Sequence, residues 1–281
     1  MSLRLLVLDA YAPEGREALR GAGATEAGQL YARMLRRLAP GAAVEIFHPA
    51  DPHPQLPAGS ELASYDGVAW TGSSLSIHHE DDPRVRRQVD LARAVYAAGV
   101  PSFGSCWAAQ IAVVAAGGRC AASPKGREFG VSRRIELSPQ GREHPLFAGK
   151  PAVFDAFTSH ADEVVELGGD ARLLASNAWS RVQAVDVAAG AASFWALQYH
   201  PEYDLHEVAS LGRLRADELV GQRSFRDRAA LDAWLEELEA LHRDPTRKEL
   251  IRSLQLGPDL LDEDLRTREV RNWLATLRPG R

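Results

Sequence analysis

The chain has 281 residues, is 45% hydrophobic and 25% charged, and carries a formal net charge of −5. That length suits one large α/β domain or a core domain with an appendage. The balance excludes the basic surplus of a nucleic-acid binder, and no stretch approaches the roughly 20 apolar residues that span a bilayer.

Residues 4–9 form a continuous apolar run of buried-strand character, too short for a signal-sequence core and broken by Asp9. Cys106 and Cys120 are too few for a disulfide framework, so the expectation is a reduced, cytoplasmic protein. A helix is predicted over 25–38, with Leu30, Met34, Leu35 and Leu38 at helical spacing and Thr25 as its cap. Gly21, Gly23 and Gly28 do not follow a strand in the frame that a phosphate loop needs. Residues 44–47 read as a second strand. The four prolines in 48–57 make that segment a loop, because proline lacks the amide donor. A third strand over 67–71 ends in Gly72-Ser73-Ser74. The cluster at 78–82, His-His-Glu-Asp-Asp, is read as a solvated loop, since adjacent residues rarely converge on one metal ion.

Residues 83–98 are predicted helical, with Pro83 at the start and Gly99 just past the end. A fourth strand covers 100–103, and a helix over 107–116 closes at Gly117-Gly118. Strands alternating with helices at these spacings predict an α/β fold, a mostly parallel sheet covered on both faces. From Arg133 the elements shorten, with strands predicted over 133–137, 152–157, 163–167, 172–175, 182–187 and 194–199, an antiparallel or mixed extension. After Asp204 the chain becomes helical and charged. Leu231, Trp234, Leu235, Leu238 and Leu241 share one helical face, and Val270, Trp273, Leu274 and Leu277 mark another. The predicted division is therefore a domain over 1–205 and a helical extension over 206–281. The extension is read as a wrap on the core, with a partner-docking appendage as the alternative.

Cys106 lies where the strand ending at Phe103 gives way to the next helix. This strand–turn–helix layout is a nucleophile elbow. The helix N-terminus lowers a thiol pKa, and its backbone N–H groups can hold an oxyanion. Gly104 leaves room for the turn. Alone, Cys106 could equally be a small buried hydrophobe. A second apolar run, 194–202, ends in His200-Pro201-Glu202 and supplies the base and orienting carboxylate that a thiolate nucleophile needs. Cys120 has no such partner in sequence and is read as a packed thiol. The His144-Pro145-Leu146-Phe147 turn receives no catalytic role.

These residues give the chain a resemblance to the class I (triad) glutamine amidotransferases, similar to the amidotransferase domain of GMP synthases without the synthetase. The family turn Gly-x-Cys-x-Gly-x-Gln is matched by Gly104-Ser-Cys106-Trp-Ala108-Ala-Gln110, and the family base motif by His200-Pro201-Glu202. In family order come Asp66-Gly-Val-Ala-Trp-Thr-Gly72-Ser73, the Glu128-Phe-Gly130 turn, Ser159-His160-Ala-Asp162 and the strands carrying Leu173 and Gln183. The resemblance covers about residues 3–204 and implies a flavodoxin-like amidotransferase fold. It implies that Cys106 attacks the γ-carboxamide, that His200 moves the proton and that Glu202 orients His200. The backbone amides of Gly72 and Trp107 would hold the oxyanion. Gln110, Ser159 and His160 would bind glutamine or a γ-glutamyl substrate, with Gln110 at the α-amino-acid end. Neither metal nor cofactor is implied.

Two departures stand out. Ala108 replaces the second elbow glycine, so its methyl should crowd the turn, and the bulky Trp107 sits beside the pocket. Both leave the leaving group undecided. An amidotransferase would release ammonia to a separate synthase subunit, because no adenylation loop follows residue 204. A stand-alone γ-glutamyl amide or peptide hydrolase would use the same triad. The intact Cys, His and Glu argue against a non-catalytic binding protein.

Overall fold

The computed structural model describes residues 2–189 and 192–280. Strand β1 (Arg4–Leu8) buries four apolar residues in a row, as a strand covered on both faces must. Helices α1 (Pro13–Gly21) and α2 (Ala27–Leu38) follow it. α1, which has a proline in its first turn, carries too short an apolar pattern to be predicted. Thr25 does not cap α2 as expected. It lies outside the helix, and its amide donates to Glu207. The end of α2 is held instead by Asp9, whose Oδ2 accepts from the Gly28 amide at 2.9 Å. A Cβ on Gly28 would come within 2.8 Å of that oxygen, so glycine permits the approach.

The chain continues through β2 (Ala43–Phe47), β3 (Gly67–Trp70), α3 (Pro83–Ala98), β4 (Ser102–Ser105) and α4 (Trp107–Ala115). α3 matches its predicted bounds because both ends are encoded locally. Asp82 accepts from the Arg84 amide, and Gly99 takes the left-handed φ of 68°. Next come β5 (Arg119–Ala122), β6 (Glu128–Leu137), α5 (Pro139–Glu143), β7 (Val153–His160), β8 (Asp162–Glu166), β9 (Ala171–Ser176), β10 (Ala184–Ala189) and β11 (Ala192–Leu197).

Among the described residues, nine strands form one sheet in the order β2-β1-β3-β4-β11-β10-β9-β6-β7. The strands from β2 to β11 in that order run parallel, and the rest are antiparallel. The mostly parallel α/β sheet with a mixed extension therefore stands. β11 inserts beside β4 with Leu197 opposite Ser105, so that the residues following both strands emerge at one sheet edge. That register brings Cys106 and His200 together.

Two predicted strands differ from expectation. The 163–167 strand does not join the main sheet, because β8 pairs with the unpredicted β5 in a separate two-stranded sheet. β6 begins at Glu128, so Glu128-Phe-Gly130 is strand rather than turn, with Gly130 at a φ of 83°. Its inward-facing residues include Glu128 and Ser132, which hides the strand from a hydrophobic pattern.

Helices α6 (Leu205–Leu214), α7 (Ala216–Gly221), α8 (Arg228–Arg243), α9 (Lys248–Ser253), α10 (Pro258–Leu261), α11 (Glu263–Arg266) and α12 (Arg268–Leu274) complete the chain. Leu231, Leu235, Leu238 and Leu241 are buried with α6, each contributing about 1.5–3 kcal/mol of apolar burial. Trp234 packs over Phe129 and Phe225. α12 sets Trp273 against Phe103 at 5.6 Å and over Gly67, where a Cβ would meet the indole at 2.9 Å. Its Glu269 is buried with Lys150 and accepts from the Tyr199 hydroxyl, one residue before His200. The apolar stripes of 206–281 are thus covered by the chain's own core. No helix among the described residues is long and apolar enough to cross a membrane.

Candidate active site

β4 ends at Ser105, and the next residue turns sharply. Cys106 has φ 55° and ψ −99°, a conformation that costs a residue with a Cβ about 1–3 kcal/mol. The turn is pinned by the Cys106 amide, which donates to the Leu197 carbonyl at 2.7 Å. The crowding expected from Ala108 is absorbed by Gly104. A Cβ there would overlap both the Ala108 methyl and the Trp70 carbonyl. Trp107 lines the cleft, but its indole nitrogen donates to Gln88 of α3 at 3.0 Å within the core. As the first residue of α4, Trp107 presents an amide that has no intrahelical acceptor.

His200 follows β11, its amide bonded to the Phe157 carbonyl at 2.8 Å. The ring is buried and stacks on Tyr203 with centroids 3.9 Å apart. Its Nδ1 is hydrogen-bonded to Glu202 Oε1 at 2.7 Å. Nε2 is buried beside Cys106 and meets no partner in hydrogen-bond geometry among the described residues. The thiol itself faces the Ser159 carbonyl at 3.7 Å. Burial alone would lower the imidazole pKa. The Glu202 charge and the contacts with Cys106 and Glu202 outweigh it and push His200 up to about 9.

Glu202 is held by more than the histidine. The Ser105 hydroxyl donates to its Oε1 at 2.8 Å, and the Tyr31 hydroxyl donates to Ser105 at 2.6 Å. All four groups are buried, and burial followed by the Glu202 charge drives the Tyr31 pKa well up. Neither Tyr31 nor Ser105 carries a signature in the sequence. The one available signal is a tyrosine set within the apolar stripe of α2.

Gly72, just past β3, packs against both reacting groups. A Cβ on it would lie 3.0 Å from His200 Cε1 and 3.7 Å from Cys106 Cβ. A cleft enclosing about 40 Å³ opens in front of the thiol, with Gln110, Ser159 and His160 in its walls. Gln110 Nε2 donates to the Asp162 carbonyl at 3.2 Å. Both ring nitrogens of His160 are engaged within the wall, Nε2 with Glu128 at 2.8 Å and Nδ1 with the Asp162 carbonyl at 2.9 Å. Burial would raise the Glu128 pKa, but bonds from His160, Asn177 and Ser132 hold that carboxyl below its ordinary range.

The structure therefore gathers Cys106, His200, Glu202, Gly72, Trp107, Gln110, Ser159 and His160 at one edge of the sheet. It adds Arg127 and Arg215, neither singled out by motif. The 78–82 loop is exposed at residues 78–81, as expected, and His78 Nδ1 also reaches Asp162 of the cleft at 3.4 Å. Cys120 is buried on β5, and burial pushes its thiol up to about 12. Among the described residues, no group of three or more His, Cys, Asp and Glu side chains could hold a metal ion.

The family described as Glutamine amidotransferase class-I matches residues 29–210. A gamma-glutamyl-L-1-hydroxyisopropylamide hydrolase of Pseudomonas sp is 34% identical over 226 residues, covering 79% of this chain and 75% of that protein. The glutamine-hydrolyzing GMP synthase of Pseudomonas syringae is 32% identical over 179 residues, or 62% of this chain but 31% of the synthase. A crystal structure of a glutamine amidotransferase from Thermotoga maritima superposes with a TM-score of 0.64 at 19% identity, covering 96% of this chain and 99% of that one. That likeness of fold extends well past residue 210, where the family match ends. By the matched residues and the 34% identical relative, the chain belongs to the class I glutamine amidotransferase family.

Proposed function

We propose that the chain hydrolyses a γ-glutamyl amide, with Cys106 as nucleophile, His200 as acid and base, and Glu202 as orienter. One observation carries this reading: the strained Cys106 elbow stands beside a buried His200 whose far nitrogen is bonded to Glu202 at 2.7 Å. His200 takes the proton from the Cys106 thiol. The thiolate attacks the γ-carbonyl carbon, and the oxygen gains negative charge within reach of the Gly72 and Trp107 amides. The C–N bond breaks as His200 gives its proton to the leaving nitrogen. Water, deprotonated by His200, then cleaves the γ-glutamyl thioester and releases glutamate and free thiol.

The likeness to the hydroxyisopropylamide hydrolase over 79% of the chain favours a substituted amine as leaving group. The likeness to glutamine-hydrolyzing GMP synthases supports a second reading, in which glutamine is the substrate and ammonia passes to a separate synthase subunit. The deciding assay offers glutamine and a series of γ-glutamyl alkylamides to the purified chain. A kcat/KM at least about tenfold higher for an alkylamide, a difference of roughly 1.4 kcal/mol in transition-state binding, supports the first reading. A preference for glutamine supports the second. Absence of turnover, together with no modification of Cys106 by a glutamine-like electrophile, refutes both.

In the same reading, residues 206–281 are an extension that completes the fold around residues 1–205. Gln222 receives the Arg127 amide at 2.8 Å and donates to the Arg127 carbonyl at 2.9 Å, fixing one wall of the cleft.

Two substitutions test the parts of the site. Gly72→Ala brings a methyl to 3.0 Å from the imidazole and disturbs an oxyanion donor. We expect a loss of about 10²-fold in kcat with an unchanged circular dichroism spectrum. Ser105→Ala removes one donor to Glu202 and strands the buried Tyr31 hydroxyl. The expected result is a loss of about tenfold in kcat at constant KM, and a stability loss of about 1–3 kcal/mol by urea unfolding. A change confined to KM would contradict the positioning role.

A further inference from the structure

The cleft carries two guanidinium groups that the triad chemistry does not use. Arg127 precedes Glu128 in β6, and its NH1 reaches the Ser159 hydroxyl at 3.5 Å. The carbonyl of that serine is the group facing the thiol at 3.7 Å, so Arg127 stands one residue from the nucleophile. Arg215 comes from the junction of α6 and α7 and lines the same cleft. Glu218 connects them, bonded to Arg127 Nε at 2.9 Å and lying 4.0 Å from Arg215 NH1. One carboxylate thus serves both guanidiniums. Arg215 Nε is buried and meets no hydrogen-bond acceptor among the described residues, an unusual state for a buried donor. Cys106, Arg127 and Arg215 all line this one cleft.

A γ-glutamyl substrate that meets Cys106 also carries an α-amino-acid end. That end is a zwitterion, and the cleft offers both signs: the Asp162 carboxylate and the Arg127–Arg215 pair. Guanidinium groups match a carboxylate in shape as well as charge, through paired N–H donors.

We propose that Arg127 and Arg215 bind the α-carboxylate of the γ-glutamyl group, so that the segment after residue 205 contributes directly to substrate recognition. The identity of the ligand rests on the γ-glutamyl reading above; the presence of a carboxylate site does not rest on turnover.

The experiment measures binding of L-glutamate and of its α-amide, isoglutamine, to full-length Cys106→Ala by titration calorimetry. Adding Arg215→Gln is expected to weaken L-glutamate by about tenfold or more, the value of one charged hydrogen-bonded contact, and to leave isoglutamine within about twofold. Arg215→Lys should restore part of the loss, which a folding defect would not allow. Equal weakening of both ligands, or no weakening of L-glutamate, overturns the proposal. So does failure of Cys106→Ala to bind L-glutamate at all. In the active enzyme, γ-glutamylethylamide and γ-glutamylglycine separate the two carboxylates that a substrate could carry. Arg215→Gln should raise KM for both, and an effect on γ-glutamylglycine alone would reassign the pair to the leaving group and overturn the α-carboxylate assignment. If the unaltered chain cleaves no γ-glutamyl amide while Cys106→Ala still binds L-glutamate through Arg215, the hydrolase reading fails and the carboxylate site stands.

Discussion

Cys106→Ala is expected to lower γ-glutamyl amide hydrolysis on the order of 10⁴-fold or more in kcat, because no other group can form the thioester. The fold should survive. Among the described residues, the thiol makes one long contact, to the Ser159 carbonyl at 3.7 Å, while the turn is held by backbone bonding to Leu197. The same position makes a stability prediction with a sign. At φ 55° an alanine keeps the backbone strain and a glycine releases it. Cys106→Gly should therefore be more stable than Cys106→Ala, by about 1 kcal/mol in urea unfolding. The reverse order would show that the elbow is not strained.

The second large effect is expected at His200. His200→Gln keeps a polar side chain of similar reach but cannot shuttle a proton, and kcat/KM should fall about 10²–10⁴-fold. The pH dependence follows from the raised pKa. Below the ordinary imidazole value of 6.5 the group is protonated whether the chain is folded or unfolded. Between 6.5 and about 9 the folded state holds a proton that the unfolded state does not. The stabilisation by Glu202 and Cys106 is thus fully present below pH 6.5 and is lost as pH rises through about 9. Melting temperature measured across that window should fall with rising pH, and His200→Gln should flatten the slope. Activity should decline above about pH 9, as the proton needed by the leaving amine is lost. A His200→Gln protein with an unchanged slope would contradict this origin.

Much of the site was legible because its chemistry is written in short segments. The elbow around Cys106 needs a strand, a small residue and a helix start, and those are contiguous. His200 and Glu202 are two residues apart on a segment whose preceding strand is almost wholly apolar. Helix α3 was readable at both ends for the same reason. The groups that escaped notice are partners brought together across the fold. Tyr31 meets Ser105 from 74 positions away, and Glu207 takes the amide of Thr25 across 182. β6 extends past its apolar pattern because its inward face carries Glu128 and Ser132, satisfied by Asn177, Gln183 and His160 rather than by apolar packing. The apolar stripes of the 206–281 helices predict a wrap on the core. A stripe tells which face is covered, and it cannot tell that Arg215 lines the cleft or that Gln222 holds the Arg127 backbone.

The central claim, a γ-glutamyl thioester on Cys106, is open to a single direct measurement. The full-length chain is mixed with the best γ-glutamyl amide substrate, quenched in acid within the first turnovers, digested and read by mass spectrometry. The account predicts a transient γ-glutamyl adduct confined to the peptide containing Cys106 and absent from Cys106→Ala. Rapid hydrolysis with no adduct on that peptide, or an adduct on Cys120, would contradict it.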